Sequence, residues 1–181
     1  MYDYIDSPVS RLEPGARFFI WSARQWVRAA ASGRCVCGVI GGAFQSFRVP
    51  EATDHFHLVM RTIYQNALVP LYFGSPERET VTEHEAVLLG ALQMATAGPM
   101  NVVPVARGLV HADMAPILAR SLERVAAELT KAGHLLGPGR MPTAAEALRD
   151  RIERAIGFPR QALYKPIINR NDPPGGQADH V

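Results

Sequence analysis

The sequence predicts an all-α protein, an irregular antiparallel bundle of about six helices around a buried central helix at about residues 83–97. Apolar residues recur at helical spacing in long segments, and no strict period-two alternation extends far enough for a convincing strand. Proline and glycine separate the segments at positions where helices begin and end. We therefore expect one helical domain over residues 1–168 and a mobile tail over 169–181, which has almost no apolar surface to bury.

The first two helices are predicted over Pro14 to Ser32 and over Val36 to Phe47. Proline is favoured at the first helical position, and Gly33 follows the last periodic residue of the first helix. The apolar side of the first helix is expected to contain Ala16, Phe19, Ala23, Trp26, Val27 and Ala30. That side should face the core.

The third and fourth helices are separated by a connector that contains Gly74 and Pro76. Pro50 and the Thr53-Asp54 pair announce the third helix, and Pro70 is expected to stop it. Thr82 to Glu85 has the form of a capping box, which indicates the start of the fourth helix. Apolar residues point in nearly every direction around the fourth helix, so it is predicted to be the buried centre of the bundle.

The remaining chain contains two further predicted helices and one unassigned segment. Residues 99–112 are apolar but broken by proline and glycine, and no element is assigned to them. The fifth helix is expected over about 113–132, with Asp113 as its cap. A second capping box at Thr143 to Glu146 indicates a last helix, which Gly157 ends.

The composition excludes several classes of protein. Of the 181 residues, 48% are hydrophobic and 20% charged, which is typical of a globular domain. No apolar run reaches the length of a bilayer span. The formal charge of +2 is too small an excess to favour nucleic acid as a partner. The first ten residues lack the basic start and apolar run of a secretory signal, so a cytoplasmic location is expected.

One side of the first helix carries arginines together with a tryptophan. Arg17, Arg24 and Arg28 share this side, and Trp21 lies between them at spacings that make helical neighbours. Tryptophan and arginine are enriched at binding hot spots. The four residues are therefore predicted to bind a partner. Cover of Trp21 by the C-terminal segment or by another helix is the structural alternative.

Glycines lie opposite the apolar stripe of the second helix. Gly38, Gly41 and Gly42 inside a helix together cost roughly 2 to 3 kcal/mol relative to alanine. Close approach of another backbone along the ridge of Gly38 and Gly42 would compensate, whether from this chain, a second copy or a ligand. A partly non-helical segment is the other explanation. Gly38 and Gly42 are included in the predicted partner surface.

The two cysteines, Cys35 and Cys37, are too close in sequence to form a disulfide that closes a stabilising loop. Thiolates bind zinc, and His55 or His84 are the candidates to complete such a site. The Cys-x-Cys spacing, however, differs from that of thioredoxin-like sites and zinc knuckles. We therefore predict no cofactor, and expect Cys37 to pack beside Phe44 as a small apolar residue.

No catalytic motif is present: the glycines of the second helix do not have the spacing of a nucleotide-binding loop, and hydrolase and zincin signatures are missing. The leading hypothesis is a helical protein that acts by binding as a homo-oligomer, with another protein or a small ligand as further partners. The alternative is a metal-binding or thiol-redox protein, including an enzyme, that uses Cys35 and Cys37 with a histidine. Peripheral attachment to a membrane through the first helix is a third interpretation.

Overall fold

Residues 4–139 are described by the computed structural model, and they form six α-helices. The helices are α1 (Pro14–Ala31), α2 (Val36–Ser46), α3 (Ala52–Asn66), α4 (Glu83–Ala95), α5 (Val103–Leu109) and α6 (Ala115–Lys131). Within this part of the chain there is no β-strand, and the extended pairings are two isolated bridges. The all-α prediction is confirmed.

The hydrophobic core lies where α6 packs against α3, α4 and α5, while α1 contacts α2 and α4. Phe56 of α3 connects the helices packed around α6 with α1 and α2. Its ring centroid lies 5.4 Å from that of Phe19 in α1 and 5.2 Å from that of Phe44 in α2. Aromatic contacts at these separations add to the free energy of burying the rings. The predicted inward faces of α1, α2 and α3 therefore meet in one core.

Helix α4 begins at the predicted capping box. The Thr82 hydroxyl accepts a hydrogen bond from the Glu85 backbone N–H at 3.3 Å, and the Thr82 N–H donates to Glu85 Oε2 at 2.8 Å. Two of the N–H groups at the helix start are thereby satisfied. The buried residues of α4 are Glu85, Ala86, Leu88, Leu89, Gly90, Ala91, Leu92 and Ala95. The predicted buried central helix is confirmed.

Helix α3 ends at Asn66, before the proline that was expected to stop it. Ala67 adopts an extended conformation and forms an isolated bridge with Val110. The Leu68 N–H donates to the Leu109 carbonyl at 3.0 Å, and the His111 N–H donates to the Asn66 carbonyl at 3.1 Å. The chain therefore leaves the helix because another segment offers its backbone groups new partners.

The segment left unassigned by the sequence contains α5 and a 3-10 turn at Pro99–Asn101. Pro104 was interpreted as a break in this segment, but it lies in the first turn of α5. Proline is tolerated there because the first N–H groups of a helix have no intrahelical partner. With α5, the described residues contain six helices. The predicted last helix, which would begin near Thr143, lies outside the described residues.

The prediction that Asp113 caps the following helix is wrong. Helix α6 begins one residue later than that cap requires, with Met114 at the N-cap position and no side-chain capping hydrogen bond. Pro116 in the first turn is the signal in the sequence that marks this start. The tail 169–181 and the end of the predicted 1–168 domain also lie outside the described residues.

Among residues 4–139, none of the helices combines the length and the apolar character that a membrane crossing requires.

Candidate functional site

An apolar groove of about 430 Å³ opens on the surface between α1, α3 and the connector, which we define as residues 67–82. Its lining consists of aromatic, aliphatic and proline side chains: Trp26, Val27, Met60, Ile63, Tyr64, Ala67, Leu68, Val69, Pro70, Leu71 and Phe73. No charged side chain belongs to this set. The groove has the size and chemistry of sites that hold apolar ligands or side chains.

Several large hydrophobic side chains in and beside the groove are exposed. The exposed fractions are 73% for Tyr64, 49% for Leu68, 55% for Val69 and 58% for Tyr72, which lies between the lining residues Leu71 and Phe73. Single exposed hydrophobic residues are normal on protein surfaces, but a continuous group around a groove is typical of an interaction site.

The position of Trp26 is held by a histidine on α3. The Trp26 indole N–H donates to His57 Nδ1 at 3.1 Å, and the Tyr64 ring centroid lies 5.8 Å from that of Trp26. The indole N–H is therefore already paired, so that the tryptophan presents its apolar surface to the groove.

Two hydrogen bonds hold the connector at Tyr72, one to α4 and one to Thr82 at the end of the connector itself. The Tyr72 N–H donates to His84 Nδ1 at 2.9 Å, and the Tyr72 carbonyl accepts from the Thr82 hydroxyl at 3.1 Å. His84 was a candidate zinc ligand, but its Nδ1 atom is engaged with this backbone. These contacts hold the backbone at one edge of the groove.

Behind the connector, Arg24 and Glu85 form a buried bidentate ion pair. Arg24 Nε donates to Glu85 Oε1 and Arg24 Nη2 to Oε2, both at 2.8 Å. Arg24 Nη1 also donates to the Arg78 carbonyl, and Nη2 donates to the Thr80 carbonyl at 2.8 Å. Arg24 is 3% exposed and Glu85 is fully buried. One ion pair therefore joins α1, α4 and the connector.

The environment of Glu85 stabilises its charged form. Burial alone raises the pKa of a carboxyl, but the hydrogen bonds from Arg24, Thr82 and Gly74 and the charge of Arg24 outweigh it. The pKa of Glu85 therefore lies below its ordinary value. Gly74 comes close enough to donate because it has no side chain: a Cβ there would lie 3.0 Å from Nη2 of Arg24.

The predicted partner surface on α1 is only partly formed. Trp21 is 39% exposed, and Arg17 and Arg28 are exposed beside it. The placement of Arg24 on this exposed side is wrong, because the connector covers that part of the helix and supplies its hydrogen bonds. Arg28 lies 3.6 Å from the Glu77 carboxylate at the surface. The remaining surface is Arg17, Trp21 and Arg28.

The glycine face of α2 is open. Apart from the adjacent residues and the backbone of its own helix, a Cβ on Gly38, Gly41 or Gly42 would meet no described atom within 4 Å. The segment is helical over Val36–Ser46, so the partly non-helical explanation is wrong. Within residues 4–139, no other backbone approaches the ridge of Gly38 and Gly42.

The thiols and histidines are not brought together. Cys35 and Cys37 are both free and exposed at the start of α2. Packing of Cys37 beside Phe44 as a small apolar residue stays a prediction. His55 lines a separate groove between α3 and α6. Among residues 4–139, no group of three or more His, Cys, Asp or Glu side chains is placed to hold a metal ion.

The apolar groove was not predicted, although the sequence contains an apolar run that lines it. Residues 67–73 are apolar throughout, and the sequence analysis assigns them to the end of the third helix and the start of the connector. An apolar run outside any helix indicates either burial under other elements or an exposed binding surface. The Arg24–Glu85 pair has no comparable signal, because the two residues are far apart in the sequence.

No protein-family model, curated protein or solved structure matches this chain.

Proposed function

We propose that this chain acts by binding, and that the apolar groove receives apolar side chains from a segment of another polypeptide. The observation that carries this proposal is the uncharged lining of the groove together with the exposure of Tyr64, Leu68 and Val69. Burial of apolar surface is the main favourable contribution to the free energy of most protein association.

The exposed residues extend beyond the cavity itself. A small ligand inside the groove would leave the outward faces of Tyr64 and Tyr72 in water. A polypeptide segment lying along the groove covers them as well. Grooves of this kind accept the apolar face of an amphipathic helix, with side chains at helical spacing as anchors.

A charge placed in the groove is expected to weaken the binding of apolar molecules. In Leu68→Glu the affinity for Nile red, an uncharged apolar dye, should fall at least about tenfold, because the carboxylate must lose water when the site is filled. Binding is followed by the emission of Trp26 in a Trp21→Phe background, which removes the other tryptophan.

Gln65→Glu is the matched control, because it adds the same charge at an exposed position of α3 outside the lining. It should bind the dye as the unaltered protein does. Equal dye affinity of Leu68→Glu and the unaltered protein, with native helicity in both, would contradict the proposed site.

A second proposal is self-association through α1 and α2. It is supported by the open positions beside Gly38, Gly41 and Gly42, since nothing described within the chain offsets the cost of three glycines in a helix. Trp21 lies on the neighbouring helix, stacked on Phe18 with a centroid separation of 6.3 Å.

Two substitutions are expected to weaken the oligomer. Trp21→Ala removes an anchor of the type that contributes about 2 kcal/mol or more at a hot spot, and Gly42→Leu holds the two backbones apart. Analytical ultracentrifugation measures the shift in dissociation constant, with Arg107→Ala on α5 as a control at an exposed position.

The Gly42→Ala variant distinguishes a glycine face that forms an interface from one that is exposed to water. On a free helix face, alanine stabilises the protein by up to about 1 kcal/mol, whereas between two closely packed backbones the added methyl group weakens association. A protein that stays monomeric at high concentration would contradict self-association and leave Trp21 for another partner.

Thiol or metal chemistry at Cys35 and Cys37 remains the alternative. It is supported by the exposure of both thiols in the first turn of α2. A reducing cytoplasm is the proposed compartment, in which such thiols stay reduced. Native mass spectrometry of the purified protein distinguishes the proposals, because one spectrum reports the number of subunits and the mass of any retained metal.

A further inference from the structure

A second groove, of about 500 Å³, lies between α3 and α6 and differs in charge from the apolar groove. Its basic lining residues are His55, Arg120 and Arg124, and its apolar ones are Leu58, Pro116 and Ile117. Ser121 also lines it, but its hydroxyl donates to the Ile117 carbonyl at 2.8 Å. Among the described residues, no carboxylate belongs to the lining.

The two arginines have little internal compensation for their charge. Arg120 forms no ion pair within residues 4–139. In the described part of the chain, Arg124 is paired only with the adjacent Glu123, at 3.9 Å, and both side chains remain accessible to water. Exposed pairs of this kind contribute little. Like charges four residues apart on a helix repel each other by roughly 0.2 to 0.5 kcal/mol.

We propose that this groove binds a small amphiphilic anion, whose carboxylate or phosphate head lies between Arg120 and Arg124 and whose hydrocarbon part covers Leu58 and Ile117. The two guanidinium groups present forked donors that match the oxygens of either head group. Ile117 is 42% exposed, and a hydrocarbon chain removes that surface from water. The charge of the lining selects against a cationic or neutral head.

The test uses four molecules with the same octyl chain: octanoate, octyl phosphate, octanol and octyltrimethylammonium. Binding to the full chain is followed by the shift of the Ile117 methyl resonance in NMR spectra, identified by its loss in Ile117→Val. Octanoate or octyl phosphate is expected to shift this resonance, and comparison of the two anions identifies the preferred head group. Octanol, octyltrimethylammonium and inorganic phosphate should bind at least about tenfold more weakly.

The double variant Arg120→Gln, Arg124→Gln should lose at least about tenfold in affinity for the preferred anion. Lys131→Gln removes a charge from the same helix outside the groove and should have no effect. If the double variant does not fold, each single substitution takes its place. Leu68→Glu in the apolar groove should leave this binding unchanged, so that the two sites fail or succeed independently.

Three results would overturn the proposal. They are the absence of any Ile117 shift with either anion at millimolar concentration, equal affinity of the arginine variants and the unaltered protein, and equal binding of octyltrimethylammonium and the anions.

Discussion

Replacement of Arg24 by methionine is expected to destabilise the protein by about 3 to 5 kcal/mol at neutral pH, the range measured when one partner of a buried ion pair is removed. Glu85 would stay behind as a buried carboxylate without its counter-charge. The carbonyls of Arg78 and Thr80 would also lose their donors. Urea denaturation followed by circular dichroism measures the change.

Arg17→Met is the matched control, since it makes the same substitution at an exposed position of α1. Its effect should stay within about 0.5 kcal/mol. The double variant Arg24→Met, Glu85→Leu should recover part of the loss, because the unpaired charge is gone while backbone groups of the connector remain unpaired. A loss below about 1 kcal/mol in Arg24→Met would contradict the assigned role.

Acid provides an independent measure of the same ion pair. Because the pKa of Glu85 is lower in the folded protein than its ordinary value of 4.5, the unfolded state takes up the proton first as the pH falls. The stabilising contribution is therefore complete above that ordinary value and is lost as the pH falls through the folded-state pKa. The Glu85→Gln variant should lack this component when free energies of unfolding are compared across acidic pH.

Leu92→Asp is expected to prevent folding. Leu92 is fully buried in α4, and an unpaired carboxyl in an apolar core costs several kcal/mol, in addition to the lost apolar contacts. The total free energy of unfolding of a small domain is about 5 to 15 kcal/mol, so little stability would remain. Leu89→Asp should behave similarly, because Leu89 is also buried and lies three residues before Leu92, on the same side of α4. Helicity and thermal melting report the result.

Met94→Asp introduces the same side chain on the same helix at a position that is 40% exposed. We expect this control to fold and to melt cooperatively. Cooperative melting of Leu92→Asp near the melting temperature of the unaltered protein would contradict the burial of α4 at the centre of the core.

The positions of most helices follow from local features of the sequence. Pro14 in the first turn, the Thr82 to Glu85 capping box and apolar residues at helical spacing act within a few residues, so they can be recognised without the fold. Helix α5 was missed because proline was interpreted only as a break, whereas its effect depends on its position within the helix.

The binding surfaces depend on which elements cover which side chains. Arg24 and Arg28 look equivalent on the first helix, yet the connector covers Arg24 and leaves Arg28 exposed. Likewise, the apolar residues 67–73 are compatible with a buried strand or with the exposed edge of a groove. The backbone hydrogen bond from Leu68 to Leu109 determines their position. Sequence alone therefore determined the fold class and most helix positions, which arise from short-range periodicity and capping. Only the tertiary structure decided the buried ion pair and the two grooves, because burial and charge pairing arise between residues that are distant in the sequence.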